Sequence, residues 1–166
     1  MSGPRVLTLV PAFNPDPELL RTTLASLVAQ TMETTICLID DGSDVPLADY
    51  LEDMPSIIHL RLAQNSGITR ALIAGVQLGF KEGFDYLGRL DVGDLAHPQR
   101  VARQIAHMEA HSDIALLGSV AVLVDGAGNE IGCHGVHGGH AHVQRYLWVN
   151  AAFKHSTFLI RASAIR

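Results

Sequence analysis

Apolar and polar positions alternate along the chain in blocks whose period predicts repeated strand–helix units. Val6 to Val10 reads as a strand ended by Pro11 and the turn-forming Asn14-Pro15. Asp16-Pro17 has the form of a helix cap with proline at the first helical position. Leu19, Leu20, Thr23, Leu24, Leu27 and Val28 then recur at helical spacing as one buried stripe up to Gln30. Ile36 to Ile39 is a second strand, residues 47 to 53 a short helix and Ile57 to Leu62 a third strand. A helix from about Ser66 to Glu82 presents Ile68, Ala71, Leu72, Gly75, Val76 and Gly79 on one face. Tyr86 to Leu90 reads as a fourth strand, and Pro98 to Ala110 as a helix aligning Val101, Ile105 and Met108. Ile114 to Val124 suits one long buried strand, Gly126 to Asn129 a hairpin turn, and Gly132 to His142 a loop. Val143 to Asn150 reads as a short helix and Ser156 to Ile160 as a last strand.

Strands alternating with helices predict an α/β fold: a mainly parallel sheet with helices on both faces. In such sheets ligands bind beyond the carboxyl ends of the strands. Three polar clusters fall at those ends: Pro11-Ala12-Phe13-Asn14, Asp40-Asp41-Gly42-Ser43 and Asp91-Val92-Gly93-Asp94. Their coincidence on one edge marks a candidate site.

Composition narrows the class. A chain of 166 residues, 48% hydrophobic and 17% charged, fits one domain with its own core and is too apolar for disorder. A formal charge of −5 argues against a protein that coats nucleic acid. No apolar run is long enough to span a bilayer, and the opening residues do not form a signal peptide, so a cytoplasmic setting is expected. Cys37 lies within an apolar run and is expected to be a reduced core residue.

Carboxylates at strand ends do one of two things: they accept hydrogen bonds from a ribose or a base, or they ligate a hard cation that neutralises a diphosphate. Asp41 and Asp91 sit on different loops and so can grip different parts of one nucleotide, although Asp40-Asp41-Gly42-Ser43 taken alone also reads as a capped turn. Arg70, in the first turn of its helix, is placed to reach a phosphate or to remain solvated. Arg89, a charge inside a strand, calls for an ion pair with a nearby carboxylate. The glycine loops of ATPases, kinases and dinucleotide-binding dehydrogenases are missing. Pro11 and Phe13 stand where those folds need glycine, which suggests a flat platform for a base. His134, His137, His140 and His142 are read as a polar loop in preference to a zinc site.

The motifs together resemble the inverting glycosyltransferases of family 2, which have the Rossmann-like GT-A fold. Pro11-Ala12-Phe13-Asn14 resembles P-x-[FY]-N, residues 24–31 resemble L-x-S-L-x-x-Q-T, and Asp40-Asp41-Gly42-Ser43 matches D-D-G-S. Asn65-Ser66-Gly67 with Arg70 and Gly75 resembles the N-x-G helix start. Residues 91–94 with Pro98, Arg100 and Gln104 resemble D-x-D-D…P-x-R…Q, and His155-Ser156 with Arg161 the later H-S…R element.

The resemblance implies a nucleotide site built from Pro11, Phe13, Asn14, Asp41, Arg70 and Asp91. Asp41 would accept the base N–H, Arg70 would lie near the diphosphate, and Asp91 near the ribose and metal. It implies a nucleoside-diphosphate sugar donor, most often a UDP-sugar, with Mg²⁺ or Mn²⁺ held by Asp91 and Asp94. It implies a glycan or lipid-linked acceptor entering past His155, and a place in the cytoplasm or at the inner face of the membrane. His155 also reads as a buried, hydrogen-bonded histidine. Two positions depart from the pattern. Gly93 stands where the second aspartate of D-x-D ligates the metal, so metal dependence is expected to weaken. The last acidic residue is Glu130, before the H-S…R element, so no catalytic base is assigned. Residues 1–166 are therefore read as one donor-binding domain truncated at its C-terminus, with no transfer expected from this polypeptide alone. The rival readings are a non-catalytic nucleotide- or partner-binding module on the same fold and, more weakly, a nucleotidyltransferase.

Overall fold

The computed structural model describes residues 3–51, 54, 56–135, 137–147 and 152–165. Its elements are β1 (Val6–Ala12), α1 (Pro17–Val28), β2 (Thr35–Asp40), β3 (Ile58–Arg61), α2 (Ile68–Lys81), β4 (Tyr86–Arg89), α3 (Arg100–Ala110), β5 (Leu116–Leu117), β6 (Ala121–Val124), β7 (Glu130–His134), α4 (His140–Leu147) and β8 (Leu159–Arg161). Short 3₁₀ turns lie at Leu47–Leu51, His155–Thr157 and Ala162–Ala164. Six strands form one sheet in the order β3-β2-β1-β4-β8-β5. β3, β2, β1 and β4 run parallel, and β8 is antiparallel to both β4 and β5.

The two-residue period of β1 and β2 sorts their side chains between two layers. Leu7, Leu9, Cys37 and Ile39 pack with Ala71, Leu72 and Val76 of α2. Val10, Ala12, Ile36 and Leu38 pack with Leu20, Leu24 and Leu27 of α1. Val6 and Tyr86 meet Val101, Ile105 and Met108 of α3 on that second side. Helices thus cover both faces, as the alternation predicts. Cys37 is fully buried without a disulfide, and burial pushes its thiol pKa up to about 12. The α2 helix lies close against the sheet: a Cβ on Gly75 would stand 2.6 Å from Ile39 Cδ1.

α1 starts as expected, with Asp16 Oδ1 accepting from the N–H groups of Glu18 and Leu19 at 2.9 and 3.0 Å. Its buried face is narrower than the sequence stripe, because Leu19 and Val28 are 49% and 59% exposed. β1 does not stop at Val10 but continues through Pro11 to Ala12. The carbonyl of Ala12 faces β2, where it accepts from Asp41 N–H, so the edge of Pro11 faces β4. Pairing with β4 has already ended at Leu9 opposite Arg89, and the missing proline N–H leaves no gap in a ladder.

The expected long strand over Ile114–Val124 is two strands. Gly118 breaks it where its backbone passes the Phe153 ring, a Cβ there coming within 2.5 Å, and Ser119 N–H turns to Thr157 Oγ1 at 3.1 Å. β6 then leaves the sheet to pair with β7 as a hairpin, exposing Val122 and Val124. The turn over Gly126–Asn129 is the expected one: Asp125 Oδ1 accepts from Ala127 and Asn129 N–H, both at 2.9 Å. The segment expected as a loop, Gly132 to His142, holds the end of β7 and the start of α4, and the expected helix over Val143–Asn150 begins earlier, at His140. Residues 148–150 lie outside the described residues, as do 52 and 53 of the expected helix over 47–53, whose remainder is a 3₁₀ turn. Ser156 to Ile160 is a 3₁₀ turn leading into a short β8, in place of one strand. Among the described residues no helix is long and apolar enough to cross a membrane.

Candidate functional site

The sheet brings the three polar clusters to one rim. β1 lies between β2 and β4, all three parallel, so the residues after each strand emerge side by side. The chain leaves β1 toward β2 and later returns to β4 on the other side of β1, which is the switch point where open sheets form crevices.

Asp40 anchors the second cluster from below. It is fully buried at the end of β2, and its carboxylate accepts from Ser43 N–H at 2.8 Å, Leu47 N–H at 3.3 Å and the Arg61 guanidinium. Burial alone would raise its pKa, but the hydrogen bonds from Ser43, Leu47 and Arg61 outweigh it and hold the carboxyl below its ordinary value. Asp41, 4% exposed, takes the N–H of Ser66 on Oδ1 at 2.9 Å and of Gly67 on Oδ2 at 2.8 Å. It therefore fixes the approach to α2, whose N-cap Gly67 has no side chain to do so. Gly42 is required between them. Its φ is +74°, and a Cβ would meet the Gln64 carbonyl carbon at 2.5 Å.

Asn14 ties the first cluster to the second. It adopts a φ of +44°, donates from its backbone N–H to Ser43 Oγ at 3.0 Å, and exchanges two side-chain bonds of 2.9 Å with Asp44. Its amide is thereby used between loops. Pro11 is buried within β1, and Phe13 stands 45% exposed just beyond it. Arg70 is exposed in the first turn of α2, and its guanidinium bonds to no described residue.

The third cluster follows β4. The partner expected for Arg89 is Asp91 itself: Nε donates to Oδ1 at 2.7 Å and Nη2 to Oδ2 at 3.0 Å. Gly93 has a φ of +94°, and Asp94 is exposed. The Asp91 N–H points to Ser156 Oγ at 3.4 Å, which sets the His155–Thr157 turn against this loop. His155 is exposed with its ring 5.4 Å from that of Phe158, so it is not a buried histidine.

Several residues of the sequence motifs shape the rim through bonds that the motifs alone do not show. Arg100 is a half-buried cation whose Nη1 donates to Ser156 O and Nη2 to Arg89 O, both at 2.8 Å. Desolvation lowers its pKa to about 10, against the opposing charge of Asp94. Gln104 donates to Thr157 O at 2.8 Å and Ser119 Oγ at 3.0 Å. Thr23 and Ser26 of α1, with Gln30 just beyond its end, form a polar seam along the β4–α3 loop. Gly93 N–H donates to Thr23 Oγ1, whose own O–H donates to Asp94 O, both at 3.0 Å. Ala96 N–H bonds Ser26 Oγ at 3.0 Å, and Gln30 accepts from Val101 N–H at 3.0 Å while donating to His97 O at 2.9 Å. The signal in the sequence is the spacing of three between Thr23 and Ser26, which places both hydroxyls on one helix face.

Asp91 and Asp94 are the residues a divalent ion would use, and they fit one poorly. Both oxygens of Asp91 sit in the Arg89 fork, and Gly93 offers no side chain. Among the described residues no three His, Cys, Asp or Glu side chains come together, those of the 132–142 segment included. A shallow cavity of about 500 Å³ opens at the opposite edge of the sheet, lined by Arg5, Phe84, Tyr86, Glu109 and Arg161 among others. Its polar groups serve one another: Tyr86 OH donates to Glu109, and Arg161 donates to Tyr86 OH and Met108 O. The candidate rim is the open one at the strand carboxyl ends.

A mainly parallel sheet with anchored acidic loops at adjacent strand ends defines an α/β protein of the GT-A class. The chain belongs to glycosyl transferase family 2, whose model matches residues 8–165. It is 29% identical over 131 residues to the amylovoran biosynthesis glycosyltransferase AmsE of Erwinia amylovora, covering 74% of this chain and 47% of that protein. It is 26% identical over 156 residues to an uncharacterized glycosyltransferase of Haemophilus influenzae, covering 90% and 57%. The chain thus spans about half the length of these curated relatives. Among solved structures, S. aureus TarS 1–349 in complex with UDP superposes with a TM-score of 0.67 at 14% identity, over 97% of this chain and 48% of that one. The mannosyltransferase PcManGT from Pyrobaculum calidifontis, in complex with GDP-Man and Mn²⁺, gives 0.65 at 13% identity, over 95% and 44%.

Proposed function

We propose that residues 1–166 are one donor-binding unit of an inverting glycosyltransferase that takes a nucleoside-diphosphate sugar, a UDP-sugar first. The observation that carries this reading is the placement of the 11–14, 40–43 and 91–94 loops side by side beyond β1, β2 and β4. The similarity to TarS, solved with UDP and with UDP-GlcNAc, and to PcManGT, solved with GDP-Man, supports a nucleotide-sugar donor.

In this reading the base lies over Pro11 and Phe13, with Asn14 holding that loop in place. Asp41 forms the floor. A carboxylate has about four lone-pair sites, and two remain on Asp41 for a base N–H. Asp91, oriented by Arg89, accepts from the ribose hydroxyls. Arg70 and the α2 N-terminus face the diphosphate and offset its charge. An acceptor hydroxyl attacks the anomeric carbon opposite the departing nucleoside diphosphate, and the carbon inverts. The acceptor, a glycan or a lipid-linked saccharide, approaches past His155, and the similarity to a protein of amylovoran biosynthesis favours surface polysaccharide.

Calorimetric titration with UDP, GDP, dTDP and CTP tests the donor. UDP should bind most tightly, and Asp91→Asn should weaken it about tenfold, the scale of one charge-assisted hydrogen bond. Equal, unsaturable signals for all four nucleotides would contradict the proposal.

A further inference from the structure

The 91–94 loop carries two carboxylates, and the fold supplies an arginine to the first of them, Asp91, from within. Arg89 ends β4 with its side chain only 16% exposed and holds both oxygens of Asp91 at 2.7 and 3.0 Å. Two parallel N–H···O bonds are the geometry in which a guanidinium grips a carboxylate most firmly. Arg100, half-buried at the start of α3, donates to Arg89 O and Ser156 O and so holds the end of β4 in place. A hard cation needs these carboxylate oxygens and several more oxygen ligands. Here it would have to displace a guanidinium to reach Asp91, and Gly93 supplies nothing in return.

We propose that Arg89 acts as the resident counter-cation of the 91–94 loop: it competes with divalent metals for Asp91, and the rim takes its nucleotide without a stably held metal ion. The nucleotide half rests on the donor reading; the metal half does not. Asp91 keeps a free lone-pair site on each oxygen for ribose hydroxyls while its charge stays paired.

The test uses Mn²⁺ alone, followed by electron paramagnetic resonance, on the wild type, Arg89→Met and Arg89→Met with Asp91→Asn. Arg89→Met should bind Mn²⁺ at least about tenfold more tightly than the wild type, the scale of one charge-assisted pair, and the added Asp91→Asn should abolish that gain. Affinities for the wild type and Arg89→Met within twofold of each other would overturn the proposal, as would a gain that survives Asp91→Asn. Should Arg89→Met fail to fold, Arg89→Lys, which breaks the fork but keeps a charge, should still tighten Mn²⁺ binding by about threefold, and no change would count against the proposal. UDP is then titrated with Mn²⁺ and with excess EDTA. Affinities within about threefold are expected, and a loss beyond tenfold in EDTA overturns the nucleotide half. Absence of UDP binding in both conditions contradicts the donor reading and leaves the Mn²⁺ comparison standing.

Discussion

Asp40 and Asp41 are neighbours in sequence with different tasks. Asp40 closes its own turn through Ser43 and Leu47 and meets Arg61 from β3, whereas Asp41 reaches across to the start of α2. Because the folded Asp40 carboxyl is held below its ordinary value, it adds stability that is complete above about pH 4 and is lost as pH falls through the lower folded value. Asp40→Asn should lower stability near neutral pH by about 2 kcal/mol, the range for hydrogen bonds to a charged group. It should also flatten the acid limb of the stability curve. Urea melts between pH 2 and 7 check both, and an unchanged acid limb would show that Asp40 carries no such linkage. Asp41→Asn, in contrast, disturbs the path into α2 more than the base of the turn.

At the scale of elements, α1 does two jobs on two faces. Its apolar face packs on β1 and β2, while Thr23 and Ser26, joined by Gln30 just past the helix end, bond successive backbone groups from Gly93 to Val101. Thr23→Val removes an acceptor from Gly93 N–H and a donor from Asp94 O at almost constant volume. Amide exchange at Gly93 should accelerate about tenfold with protection in β1 and β2 unchanged, the size of one net hydrogen bond. Uniform acceleration throughout the sheet would show instead a loss of global stability. The start of α1 was legible because Asp16 and Pro17 are local signals whose meaning does not depend on the rest of the fold. The 114–124 segment was not, since apolar continuity cannot register that Gly118 must pass the Phe153 ring and that the chain then changes sheets. Polar seams suffer the same limit: Arg100 and Gln104 were visible as motif letters, but their partners at Ser156 and Thr157 lie more than fifty residues away.

At the scale of the molecule, parallel pairing turns three separated polar clusters into one rim. The order of the clusters was readable from the sequence, and so was their common edge. Their cross-links were not: Asn14 to Ser43 and Asp44, Asp41 to Ser66 and Gly67, and Asp91 to Ser156 are long-range bonds that only the assembled sheet sets. The same assembly paired Arg89 with Asp91 and made the loop look less like a metal site than its letters suggested. The most direct check is a backbone amide spectrum of the chain titrated with UDP. Amides of residues 12–14, 41–44, 65–70 and 91–94 should shift together along a single saturating curve, leaving those around Tyr86, Glu109 and Arg161 in place. Shifts confined to one of these loops, or centred on the opposite edge of the sheet, would contradict a shared nucleotide rim.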